Sequence, residues 1–276
     1  MEEKLISVEV IKQMHPIFRK SYGELLAKIV IKIAGLEQVN RVHDAGRYKK
    51  GSDVEDAMID FMGIRKMVLR AEVLQQFEGK PFITVSNHPY GHIDGILLIG
   101  EMAKIRPDFK VMVNWVLGMI KSMQDHFIGV NPYRPGTISN RSSFSGIKEC
   151  ISHLRDNHPL GFFPAGAISK TKIKKIEDRE WQPNVLKMIQ KAQVPVVPIF
   201  ISGNNSRFFR FLDLIDWRIR TVRLCHELKN KKGKTIHLVI GDPVSVEEQQ
   251  EYKDVQSFGF FLKQQTYALR SYVIGK

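Results

Sequence analysis

The chain has 276 residues, 43% of them hydrophobic and 26% charged, which is the composition of a globular protein with a core and not of a disordered one. Lys and Arg exceed Asp and Glu by thirteen (42 minus 29), so the chain suits a polyanionic partner: an anionic membrane face, an anionic carrier or nucleic acid. Cys150 and Cys225 lie far apart with no Cys-x-x-Cys or Cys/His ligand spacing, which argues against structural zinc and for reduced thiols in a cytoplasm.

No run reaches the length of a membrane-spanning helix; Val111 to Ile120 comes nearest, but it is too short and holds Asn114. The start, Met1 to Lys4, shows no signal-peptide pattern, so the chain is expected to be soluble or to lie on a membrane.

In chain order, Met14, Phe18, Tyr22, Leu25, Ile29, Ile33 and Leu36 recur at helical steps, predicting one amphipathic helix from near Pro16. Its lysines and arginines fall mostly off the apolar stripe. Two readings stay open: a helix lying in a bilayer interface, or the commoner case of a helix packed on its own domain. Ser52 to Glu55 reads as a capping box opening a helix to about Phe61, broken at Gly63, and Ile64 to Phe77 is expected to form another. Residues 1–79 thus read as a helical region that is a candidate for membrane association, and 80–276 as an α/β domain.

Pro81 to Ser86 reads as a buried strand and Ile93 to Met102 as an apolar helix. Further strands are expected over Lys110–Asn114, His126–Val130, Leu160–Phe163, Val194–Ser202 and Thr235–Ile240. Helices are expected over Val116–Gln124, Asn140–Asn157, Asn184–Ala192, Arg207–Leu228 (bent near Trp217) and Val255–Tyr272, with a loop at Asn131–Gly136. Pro195 and Pro198 are tolerable in their strand only if it pairs weakly there. Alternation of this kind predicts an α/β fold: a mixed, mainly parallel sheet covered by helices.

The chemistry concentrates between the strand ending at Ser86 and the following helix, in Asn87-His88-Pro89-Tyr90-Gly91-His92-Ile93-Asp94-Gly95. Strand carboxyl ends are where open α/β sheets build their sites. Asp94, in the first helical turn, is placed to return to His88; a carboxylate on one ring nitrogen fixes the tautomer and leaves the other nitrogen to accept a proton. Equally open from this stretch alone is a buried histidine beside a helix-capping aspartate. His92 is a rival base of lower rank. Gly91 and Gly95 allow close backbone approach to a ligand.

Three stretches together resemble the blocks of the glycerolipid (1-acylglycerol-3-phosphate) acyltransferase family, in the family's order: Asn87 to Gly95, Phe163 to Ser169, and Val194 to Ser206. The resemblance implies that His88 is a general base and Asp94 its orienting partner. It also implies a site lined by Asn87, Gly91, Gly95, Pro164, Gly166, Ser169, Asn204, Asn205 and Ser206. No metal, cofactor or covalent acyl-enzyme is implied; the co-substrate is the thioester of acyl carrier protein or of coenzyme A. Amides near Gly91 or after Pro164-Ala165-Gly166 are candidate oxyanion donors.

The departures are informative. The family's usual four-residue gap between His and Asp is five here, Pro89 to Ile93, and its Glu-Gly-Thr-Arg-Ser block reads Ala165-Gly166-Ala167-Ile168-Ser169. The arginine expected to end the second block's strand is also missing, since Phe127 to Asn131 stands there. Two lost guanidinium groups argue against a phosphate-bearing acceptor, although Arg134, Arg141, Lys170 and Lys172 are candidate substitutes. The pattern is similar to the hemolysin-like bacterial branch that O-acylates lyso-lipids of the ornithine or glycine type. That resemblance implies a lyso-lipid acceptor and a location on the inner, anionic face of the cell membrane. Lysophosphatidate acylation, and a catalytically silent lipid-binding relative, are the alternatives. Against nucleic acid stands the lack of any helix-turn-helix, zinc or RNP pattern, and against a hydrolase the lack of a Gly-x-Ser-x-Gly elbow. Trp181 is expected to anchor its loop by packing.

Overall fold

The computed structural model describes residues 4–49, 51–114, 121–130, 140–172 and 175–274. The expected long N-terminal helix is broken into α1 (Val8–Met14), a 3-10 turn (Pro16–Arg19) and α2 (Gly23–Ala34), followed by α3 (Leu36–Gly46). Two glycines set the breaks. A Cβ at Gly23 would lie 2.1 Å from the Phe18 carbonyl oxygen, so the chain turns there only with glycine. Gly35 has φ +71°, the left-handed cap that ends a helix. The apolar stripe on α2 is not packed inward: Leu25 and Ile33 are 65% and 63% exposed.

Helix α4 (Ser52–Phe61) runs as expected, but Gly51 is its cap and Ser52 already lies in the helix. The segment Ile64–Phe77 is not one helix. It forms strand β1 (Arg65–Leu69) and a 3-10 turn (Ala71–Phe77). Gly63 stops the helix at φ +63°, and β1 finds a parallel partner 170 residues later, Arg65 opposite Thr235. Local pattern cannot report a partner so distant, and an edge strand shows only weak alternation.

From there the expected alternation holds: β2 (Ile83–Ser86), α5 (His92–Met102), β3 (Lys110–Asn114), β4 (Phe127–Val130), α6 (Asn140–Arg155) and β5 (Leu160–Phe162). A hairpin not foreseen, β6 (Lys170–Lys172) with β7 (Lys175–Glu177), leads to α7 (Pro183–Ala192) and β8 (Val196–Ile201). Then come α8 (Arg207–Ile215), α9 (Trp217–Arg223), a 3-10 segment (Leu224–Lys231), β9 (Thr235–Ile240), α10 (Val246–Gln250), α11 (Val255–Ala268) and α12 (Ser271–Ile274). Of the expected helix Val116–Gln124, residues 116–120 lie outside the described residues, and the rest falls in a 3-10 turn over Lys121–His126. The expected loop Asn131–Gly136 also lies outside them.

The seven-stranded sheet has the order β1-β9-β8-β2-β5-β3-β4, all neighbours parallel except β8 with β9. Pro198 therefore sits in a well-paired central strand, not a weakly paired one. Its carbonyl accepts from Gly241 N (2.8 Å), and the β9 ladder begins only at Ile199. The N–H that proline lacks would point to that same side, so the pair with Gly241 keeps one bond while the parallel ladder to β2 is untouched.

One face of the sheet packs on α4 and α5, where Ile93, Leu97, Leu98 and Met102 are wholly buried. The other packs on α6, α7 and α11 through Cys150, Ile189, Phe258 and Leu262. Each such side chain adds about 1.5–3 kcal/mol on burial. The chain leaves β2 toward β3 on one side and returns from β5 to β8 on the other. The carboxyl ends of β2, β5 and β8 thus lie side by side at a switch point, and the three sequence blocks follow those three strands.

Candidate active site

The turn after β2 is built from its own backbone. Asn87 lies beside a cavity, and its side chain continues the sheet, accepting from Ile201 N (2.7 Å) and donating to Ile201 O (2.9 Å). That fixes the next residue. His88 donates its backbone N–H to Asp178 Oδ1 (3.2 Å) and accepts from Ser169 N (2.8 Å), and its ring stacks on Phe163 at 4.3 Å. Its Nδ1 lies 2.9 Å from Asp94 Oδ2.

Asp94 is wholly buried, and the same Oδ2 accepts from Tyr90 N and Gly91 N, both at 2.8 Å. The cap of the helix and the contact with His88 therefore share one carboxylate oxygen. Gly91, with φ +92°, is the cap of α5. A Cβ there would lie 3.0 Å from the Ile168 side chain and 3.4 Å from Leu224. Ile168 occupies the place of the missing arginine, and it presents methyl groups to the turn instead of a cation.

His92 makes a poor base. Both its ring nitrogens are buried, and burial, then the Lys231 charge, pushes its pKa down to about 4. The amides of Gly91 and Gly166 are already engaged, donating to Asp94 and to Phe163 O (2.9 Å), so neither is free for an oxyanion. Gly166 itself stands at φ +61° with Gln182 where a Cβ would be. Pro164 accepts from Gln182 N (2.9 Å), and Gly95 has open space at its Cβ position.

Ser169 donates its hydroxyl to Asp178 Oδ1 at 2.6 Å. Asp178 was not legible as a site residue, yet it gathers His88 N–H, Ser169 Oγ and Trp181 Nε1 (3.1 Å), and takes its own N–H to Tyr267 Oη (2.7 Å). Burial raises its pKa against the pull of those donors. Trp181 thus anchors the loop through a hydrogen bond as well as by packing.

The third block closes behind the turn. Asn205 Nδ2 donates to Pro89 O and Tyr90 O (3.4 and 3.3 Å), and Asn205 Oδ1 accepts from Lys231 Nζ at 2.8 Å. Ser206 caps α8 through Phe209 N (3.1 Å) and donates to Glu227. Lys231 is wholly buried, 4.8 Å over the Tyr90 ring, and paired with Glu227 at 3.3 Å. Burial pushes the Lys231 pKa down to about 8.

A cavity of about 410 Å³ opens beside Asn87, Pro89, Ser169 and Asn204. It holds two arginines that the sequence did not single out, Arg210 and Arg270, and among the described residues no carboxylate lines it. Of the substitute cations expected, Lys170 is exposed and Arg134 lies outside the described residues. Among the described residues no group of three or more His, Cys, Asp or Glu is placed to hold a metal ion. Nor is any described helix long and apolar enough to cross a membrane. Burial lifts the thiols of Cys150 and Cys225 to about 12 and about 11, so neither is poised as a nucleophile.

Two curated relatives carry the name lyso-glycine lipid O-acyltransferase. The one from Phocaeicola vulgatus is 27% identical over 240 residues, covering 84% of this chain and 83% of its own. The one from Bacteroides thetaiotaomicron is 26% identical over 281 residues, covering 97% and 99%. Among solved structures, the 1-acyl-sn-glycerophosphate acyltransferase of Thermotoga maritima shares the fold, with a TM-score of 0.52 over 97% of this chain and 98% of its own at 12% identity. The family model described as acyltransferase matches residues 64–274, from β1 to the last helix, and with three strand ends converging on one histidine the chain belongs to the acyltransferase family.

Proposed function

We propose that this enzyme moves a fatty acyl group from an acyl thioester to the hydroxyl of a lyso-aminolipid of the glycine type, with His88 as general base. The observation that carries the reading is the His88–Asp94 pair at 2.9 Å at the carboxyl end of β2. With Nδ1 held toward the carboxylate, Nε2 is the nitrogen left for substrate. It takes the acceptor's hydroxyl proton as that oxygen attacks the thioester carbonyl. Collapse of the tetrahedral adduct breaks the C–S bond, and the imidazolium returns the proton to the leaving thiolate, giving an ester and a free thiol. A thioester is already activated, so positioning and one base suffice without a covalent acyl-enzyme.

The acceptor assignment rests on two supports. Relatives covering nearly the whole chain are named for lyso-glycine lipid. Ile168 sets an apolar side chain against Gly91 where a phosphate-binding arginine would stand. The donor is a thioester of acyl carrier protein or coenzyme A, and the positive charge of the chain suits the acidic carrier. The exposed apolar stripe of α2, with Lys28 and Lys32 beside it, supports a place on the cytoplasmic membrane face, residues before β1 serving as the associating region.

The test is acyl transfer by purified protein to a panel of lyso-lipids, wild type against His88→Ala. Transfer to lyso-glycine lipid that drops by about 10³-fold or more in the variant is the expected result. Transfer to lysophosphatidate alone would overturn the acceptor, and an active His88→Ala would overturn the base.

A further inference from the structure

We infer that the outer face of the α8–α9 hairpin is a docking surface for an anionic lipid bilayer, an inference that rests on the acceptor being a membrane lipid. The hairpin is two-faced. Its inner side buries Phe209 and Leu212, and Phe209, Arg210 and Asp213 border a small recess shared with Pro89, Ser169 and Asn205. Its outer side leaves Phe208, Phe211, Leu214, Ile215, Ile219 and Val222 exposed, Leu214 by 71%. Soluble proteins seldom leave so contiguous an apolar ridge in water without a partner for it.

Charge selects the partner. Of the arginines in residues 207–223, Arg220 is buried and paired with Asp213 at 2.8 Å and Arg210 lines the inner cavity, which leaves Arg207 and Arg223 exposed beside the apolar ridge. A second copy of the chain meeting this face about a two-fold axis would set a cationic rim against itself. An anionic bilayer takes both the apolar side chains and the cations. Helix α2 packs against α9 and adds Leu25, Ile29 and Ile33, also exposed, so the apolar surface continues from one element to the next.

Position gives the surface its use. Leu224, the residue after α9, would lie 3.4 Å from a Cβ at Gly91, so the hairpin that meets the lipid ends against the turn that carries His88. A bilayer docked there presents its lyso-lipid at the mouth of the site.

The experiment is co-sedimentation of the full chain with vesicles of phosphatidylcholine alone or with about 30% phosphatidylglycerol. Wild type is compared with Phe211→Asp/Leu214→Asp and with Arg207→Glu/Arg223→Glu. Turnover of a short-chain lyso-glycine lipid below its micelle concentration is followed in parallel. The inference expects wild type to bind the anionic vesicles and each double variant to lose at least about tenfold in partitioning. Turnover of the monodisperse acceptor stays within about twofold, which shows that the variants are folded. Unchanged partitioning of the variants overturns the inference. So does a wild-type dimer that Phe211→Asp/Leu214→Asp dissociates, which would make the ridge a contact between copies. Vesicle binding that depends on the ridge, with no turnover of any lyso-aminolipid, supports the docking surface and overturns the acceptor reading alone.

Discussion

Lys231 should be worth more to catalysis than to stability, because its ammonium stands behind the catalytic turn at a site where charge is expensive. The Nζ atom meets Asn205 Oδ1 at 2.8 Å, and Asn205 in turn holds the carbonyls of Pro89 and Tyr90, the two residues after His88. Lys231→Met brings two opposed effects. Burial pushes the lysine from 10.5 down to about 8 even beside Glu227, so keeping it charged at pH 7 costs about 3 kcal/mol, and the variant is relieved of that. Against this, breaking a buried ion pair costs about 3–5 kcal/mol when the remaining charge is left bare. Glu227 is not left bare, since Ser206 N, Ser206 Oγ and Asn230 Nδ2 still donate to it at 2.7–3.0 Å. The net change in unfolding free energy by urea is therefore expected within about 2 kcal/mol of wild type. The turn, however, loses its tether, and a displacement of the base by about 1 Å is worth up to about 10²-fold in kcat. Steady-state kinetics should show kcat falling more than tenfold with KM little moved. Asn205→Ala should cause the same loss, with the double variant no worse than either single one, since both cut one tether. A Lys231→Met enzyme that unfolds at wild-type urea and keeps kcat within about twofold would refute the tether.

Asp178→Asn replaces an acceptor facing three donors with an amide that must turn one N–H toward them; stability should fall by about 1–3 kcal/mol and kcat with it, read by urea unfolding and initial rates. Unchanged kcat would show that His88 does not depend on this anchor. Gly203→Ala would set a Cβ 2.0 Å from the Tyr90 hydroxyl at a residue with φ +93°, costing about 1–3 kcal/mol for the backbone alone; adding Tyr90→Phe should restore part of the thermal stability by removing that overlap. Glu55 is buried beside Lys66, and burial raises its carboxyl from 4.5 to about 7. Between those values the folded chain holds a proton that the unfolded chain has released, so stability should fall as pH rises from 4.5 to 7, by up to about 3 kcal/mol. Glu55→Gln should flatten that slope in urea unfolding followed across the same window.

Much of the site was legible because each block is a strand end followed by a turn, and local sequence marks both. The strand before Asn87 and the helix after Gly91 both stand where hydrophobic pattern puts them. What could not be read were contacts closed across long stretches of chain. Asp178 reaches His88 across 90 residues and Lys231 reaches Asn205 across 26, and neither has a sequence neighbour that hints at its role. β1 carries no strand signal of its own for the same reason, since its partner lies at the other end of the chain. The amphipathic stripes posed a different problem. Periodicity shows that α2 and α8 each have an apolar face, but not whether that face is covered, and α8 buries Phe209 while exposing Phe208 beside it. A helix with apolar residues on both sides of a two-faced arc is therefore the signal to look for. One face belongs to the core, and the other has to be explained by something outside the chain.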